Sequence, residues 1–140
     1  MKTITVTIFF CLFIFSCTSE PKENNYQTII KNSTTSDILL EGYDSNDNLI
    51  LNYLIPIDNS YSDCIALTED YLGLSCQLDS LKITFNNDKG YICTVFGGQD
   101  FNFLNKNIFY FEEDSFTKIN NSTYQFTINQ EDFNNAFDLP

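Results

Sequence analysis

The side chains able to do covalent chemistry in this sequence are its five cysteines: Cys11, Cys17, Cys64, Cys76 and Cys93. A thiolate becomes a catalytic nucleophile beside a base that takes its proton. The chain has no histidine, and its seven basic residues are all lysines. Ser-His-Asp and Cys-His pairs, His-ligated zinc and arginine clamps on phosphate or carboxylate are therefore excluded. The cysteine spacings do not match a zinc site either. Two other chemistries remain. Cys64 and Cys76 are spaced to close a short disulfide loop, worth about 3 kcal/mol in the chain-entropy account. Cys76–Cys93 is the alternative pairing. Cys93 also fits a strand, alternating with Tyr91 and Val95, as a small buried apolar residue. Cys17 follows a short apolar run and the small Ser16, which suits the cut that removes a leader; Cys17 is then the first mature residue, and its thiol is the group that carries a lipid.

The carboxylates are the other abundant reactive groups. All nineteen lie after Cys17, and the chain carries a formal net charge of −12. Such a charge repels nucleic acid and anionic headgroups. It suits a solvated surface, and would also attract a basic partner or a divalent cation. Asp44–Asn48 (DSNDN) opens like a calcium loop, but Leu49 and Ile55 stand where an EF-hand needs Gly and Glu. A turn is the better reading. The acidic corner EEDS at 112–115 also reads as a turn. Asp79, Glu112 and Glu113 show no spacing that pairs them for acid–base work. GGQD at 97–100 lacks the spacing and following helix of a phosphate loop. These patterns give no catalytic residue, metal ligand or cofactor site, and the expectation is a non-enzymatic protein.

The elements that carry these residues fall into three parts. Residues 1–16 read as a signal peptide: Lys2, then an apolar run over Ile4–Phe15. That run is about twelve residues, shorter than the roughly 20 that a membrane span needs. Residues 17–25 read as Cys17 and a polar tether, and residues 26–140 as one β-rich domain. The IFSC sequence at 14–17 resembles the bacterial lipobox, in the loose form found in Bacteroidota. It departs at Phe15, where a small residue is usual. The alternative is a conventional cut near residues 16–18, releasing a secreted domain. Thr18 at the second mature position resembles lipoproteins sent on to an outer membrane.

Within the domain, short alternating apolar segments separated by Asn, Asp and Gly predict antiparallel strands. Tyr26–Lys31 is the first, broken by NST at 32–34. Asp37–Tyr43 and Leu49–Ile55 form a hairpin around the DSNDN turn, ended by Pro56. Asp63–Leu67 is a short strand, and Thr68–Leu74 a helical turn capped by Thr68. Ser80–Phe85 and Gly90–Phe96 form a second hairpin, with Gly90 supplying positive φ where needed. Gly97–Asn107 is a loop, then Ile108–Phe111, Ser115–Ile119 and Thr123–Ile128 are strands. Asn129 and Asp132 have capping-box spacing. Phe133, Ala136 and Phe137 form a helical stripe that should dock on the sheet. The expected fold is all-β, mainly antiparallel: a β-sandwich-like domain of about seven strands with a short C-terminal helix.

Three stretches together, FIFSC at 13–17, DSLKITFNNDKG at 79–90 and YQFTINQEDFNNAF at 124–137, resemble the small uncharacterised lipoproteins of Bacteroidota. The resemblance implies an exported β-rich domain, anchored to the outer membrane through lipid on Cys17, and carries over no active-site residue. The expected partners are the membrane, through that lipid, and an unidentified envelope protein or glycan. Nucleic acid is not expected. Two other readings are a glycan-binding module, using aromatics such as Tyr43, Tyr61, Phe101 and Phe103, and an inhibitor or immunity-type lipoprotein whose acidic face blocks a basic partner.

Overall fold

A computed structural model describes residues 22–97 and 100–140. The expected leader 1–16, Cys17, the start of the expected tether, and Gly98 and Gln99 of the GGQD run lie outside the described residues. The described chain is all-β with one short helix. Its strands are β1 (Asn24–Ser33), β2 (Ile38–Tyr43), β3 (Leu49–Ile55), β4 (Ser60–Thr68), β5 (Ser80–Phe85), β6 (Lys89–Thr94), β7 (Phe116–Asn120), β8 (Thr123–Asn129) and β9 (Phe137–Asp138). Helix α1 (Gln130–Asn134) lies between β8 and β9.

The strands form a four-stranded sheet, β4-β1-β8-β7, and a five-stranded sheet, β3-β2-β5-β6-β9. Every pairing is antiparallel except β1 with β8, which run parallel. The inward residues of both sheets make one core. Ile30, Tyr61, Cys64, Phe126 and Ile128 come from the first sheet, and Ile38, Leu40, Leu81, Ile83 and Tyr91 from the second. This is the two-layer solution by which half-apolar sheets bury their inner faces.

Asn32 organises the passage from the first sheet to the second. The first strand does not break there: β1 runs on to Ser33, and Asn32 is fully buried. Its side-chain amide donates to the carbonyls of Ser36 at 2.8 Å and Ile55 at 3.1 Å. Its Oδ1 accepts from the Thr34 backbone N–H at 3.0 Å and the Thr34 hydroxyl at 2.9 Å. A buried amide satisfied on both ends fixes a crossover where a run of loop backbone would otherwise leave polar groups unpaired.

Several local expectations change. Strand β4 begins three residues earlier than the alternation suggests. Ile30 faces Tyr61 while Thr28 faces Cys64, so β4 carries one extra residue opposite β1. This bulge puts Tyr61 and Cys64 both inward and scrambles the period of two. Thr68–Leu74 is not helical. The Thr68 hydroxyl donates to the Asp70 carbonyl at 2.7 Å, and Gly73 sits at φ +112°. Ile108–Phe111 is not a strand; instead Leu74 N–H donates to Ile108 O and Phe111 N–H to Leu72 O, both at 2.8 Å. At the β5–β6 turn the positive φ belongs to Asp88, at 62°. Gly90 has another purpose: a Cβ there would run into the Ile83 carbonyl across the ladder.

The C-terminal cap forms as spaced, with Asn129 Oδ1 accepting from Asp132 N–H and Asp132 returning the bond to Asn129 N–H. The helix stops at Asn134, so the expected stripe is split. Phe133 packs edge-on against Phe85, with centroids 5.1 Å apart, while Phe137 leaves the helix and pairs as β9 with Gly90.

Candidate functional site

An open cleft of about 620 Å³ lies at one end of the sandwich. That is within the usual size of small-molecule sites. Four segments distant in sequence build it. Asp44 and Ser45 come from the β2–β3 turn, and Leu72, Leu74, Ser75, Gln77, Leu78 and Asp79 from the β4–β5 connection. Val95 follows β6, and Phe109 and Tyr110 come from the connection before β7. Leu74, Leu78 and Phe109 are buried and make an apolar floor; Leu72 and Tyr110 are exposed at its edge.

The walls are fixed by backbone bonds rather than by regular strands. Asp79 N–H donates to Tyr43 O at 2.8 Å, and Val95 N–H donates to Asp79 O at 2.9 Å. The Tyr110 hydroxyl donates to the Val95 carbonyl. Leu72 and Leu74 are bonded to the 108–111 segment as described above. Gly73 lies so close to the Phe109 carbonyl that a side chain there would collide with it. Gln77, at φ 61°, turns the chain toward β5.

The cysteines sort into two kinds. Cys64 on β4 and Cys76, between the cleft residues Ser75 and Gln77, are joined as a disulfide, with Cα atoms 5.4 Å apart. Cys93 is a buried free thiol, and its burial pushes its pKa up to about 12. A thiol so protected from ionisation is a poor nucleophile. The bridge tethers the loop that carries Ser75, Gln77 and Leu78, so it acts directly on the shape of the cleft.

The described ionisable groups lining the cleft are Asp44, Asp79 and Tyr110. The Asn48 side chain, then the backbone N–H groups of Asn48 and Asn46, hold the Asp44 carboxyl below the usual range. The Asn46 and Asn48 backbone bonds to Asp44 Oδ1 are both 2.9 Å. A catalytic acid needs the opposite shift. DSNDN is thus a self-capped turn, as its composition suggests. Asp79, one of the acids that sequence spacing left unpaired, shares the cleft with Asp44. Glu112 does not; it accepts from the Ser115 hydroxyl at 3.3 Å, and Glu113 is exposed. Among the described residues no three His, Cys, Asp or Glu side chains gather as a metal site.

The aromatics singled out for a sugar platform are mostly interior. Tyr61 and Phe103 are buried, Phe103 stacked on Tyr91 with centroids 4.0 Å apart. Tyr43 and Phe101 are partly buried, and Phe101 meets Phe137 edge-on. The cleft aromatics, Phe109 and Tyr110, fall in a segment whose sequence predicts a strand, because nothing local reveals that it closes against residues 72–74.

A second polar feature lies apart from the cleft. Lys106 Nζ is 2.5 Å from Asp132 Oδ2, donates to Thr127 O at 2.7 Å, and stands over the Phe103 and Phe126 rings. Burial holds its pKa below the usual lysine range, against the pull of Asp132. It staples the 103–107 loop to the α1 cap. No family model, curated protein or solved structure matches the chain.

Proposed function

We propose that this chain is a lipid-anchored lipoprotein of the cell envelope whose domain works by binding, and that the cleft over Leu74, Leu78 and Phe109 is where it binds. The observation that carries the binding reading is the cleft itself. It combines an apolar floor, a few polar groups at its margin and a disulfide-tethered wall, the usual make-up of a pre-formed small-molecule site. Asp44, locked as a turn carboxylate, favours binding over acid–base catalysis there. The anchor is carried by Cys17 and the leader before it.

The binding reading is tested by thermal unfolding of the full chain against a collection of small fragments with apolar bodies, some neutral, some cationic and some anionic. Ligand that binds the folded state raises the melting temperature by mass action. At least one fragment should do so, and Leu72→Lys, at an exposed edge of the cleft, should abolish the effect. Equal shifts in the variant, or none with any fragment, would overturn it. The anchor is tested by the mass of the processed N-terminal peptide. A diacylglyceryl group on Cys17 as first residue is expected; an unmodified Cys17, or a start elsewhere, contradicts it.

A further inference from the structure

The cleft has a sign as well as a shape. Two carboxylates, Asp44 and Asp79, stand at its margin, and no described lysine lines it. The nearest cations by sequence are engaged elsewhere: Lys82 pairs with Glu41 at 3.8 Å, Lys89 with Asp138 at 3.3 Å, and Lys106 with Asp132. The whole chain adds to the same field, at a formal charge of −12. An anionic ligand would meet two like charges with nothing to offset them. A neutral apolar ligand would cover the carboxylates and remove their water without replacing it, which is costly. A cation supplies the missing partner while its body covers the apolar floor.

We propose that the cleft takes a small organic cation, with its compact aromatic or aliphatic body on Leu74, Leu78, Val95 and Phe109 and its protonated amine toward Asp44 and Asp79. This rests on the reading of the cleft as the binding site. Asp44 is held in the turn by Asn46 and Asn48, so it acts as a fixed charge. Asp79 is fixed through its backbone, by Tyr43 and Val95, which leaves its carboxylate to meet the ligand. Asp79 is therefore the residue expected to discriminate by charge.

Three indoles of one shape and different charge decide the matter: tryptamine, tryptophol and indole-3-acetate. The chain has no tryptophan, so the indole emission reports the probe. The full chain in neutral phosphatidylcholine vesicles is titrated into each, with empty vesicles subtracted. Tryptamine should bind about tenfold more tightly than tryptophol, a difference of about 1.4 kcal/mol, and indole-3-acetate more weakly than either. Raising the salt should weaken tryptamine alone. Asp79→Asn, nearly isosteric and with its backbone bonds kept, should bring tryptamine down to the affinity of tryptophol. Tryptophol binding the unaltered chain as tightly as tryptamine, or an unchanged preference in Asp79→Asn, overturns the cation while leaving the cleft as a binding site. No saturable binding by any of the three overturns both.

Discussion

Cys76, flanked by the cleft residues Ser75 and Gln77, is covalently tied to Cys64 on β4, their Cα atoms 5.4 Å apart across a sequence separation of 12. The bridge joins a segment with little regular structure to an edge strand of the four-stranded sheet. Closing a loop of this length stabilises by about 3 kcal/mol. Cys64→Ser/Cys76→Ser should therefore lower the urea midpoint accordingly, and ligand affinity at the cleft should fall with it. Midpoints that match with and without reductant would show that the bridge contributes nothing.

Gly90 faces Thr84 in the β5–β6 ladder and also pairs with Phe137 of β9. A methyl group there overlaps the Ile83 carbonyl, which the ladder holds in place. Gly90→Ala should cost about 3 kcal/mol, the upper end of overpacking penalties. Chemical denaturation measures this; a loss near that of an ordinary exposed strand substitution would mean the two backbones can separate.

The Lys106–Asp132 pair is mostly buried, each side chain 14% exposed. Removing one member of such a pair leaves a buried charge without its partner. Lys106→Met should cost about 3 kcal/mol. Lys106→Met/Asp132→Asn should recover most of that loss, since both charges go and an asparagine oxygen can still accept at the cap. A double-mutant cycle by denaturation gives the answer; additive losses would contradict it.

Tyr71 and Tyr91 are among the tyrosines that should titrate late. Tyr71 stacks on Tyr124, with centroids 3.9 Å apart and planes 3° from parallel, and its hydroxyl lies 3.0 Å from Thr28 Oγ1. Burial pushes its pKa up to about 12, and burial pushes Tyr91 up as well. A folded pKa above the unfolded value gives stability that is whole below about pH 10 and is lost as pH rises through the folded value. For Tyr71 that window runs from about 10 to about 12. Ultraviolet titration should show a late ionisation step accompanied by unfolding. Tyr71→Phe should shrink that step; a late step of unchanged size in the variant would contradict the burial account.

What could be read from sequence was what neighbours in sequence decide. The hairpin β2–β3, the core face of β5 and the Asn129–Asp132 cap each depend on residues within a few positions, and each formed. The β4 boundary was not legible, because its bulge opposite β1 breaks the alternation and leaves Ile65 and Leu67 exposed on an apolar-looking strand. Residues 68–74 and 108–111 misled for another reason. Each reads as a local element, yet their backbone bonds go to each other across more than thirty intervening residues. The cleft is made of those contacts, so Asp79 could be named as an acid but not placed with Asp44. Phe137 fitted a helical stripe by spacing, but pairing with β6 took it instead.

The central claim, binding in the cleft, is tested most directly by methyl chemical-shift mapping of the full chain in lipid nanodiscs during titration with tryptamine. The account predicts saturable shifts at Leu72, Leu74, Leu78 and Val95, with Leu39, Leu54 and Leu67 unmoved. Shifts centred on Leu54 or Leu67, or none that saturate, would contradict it.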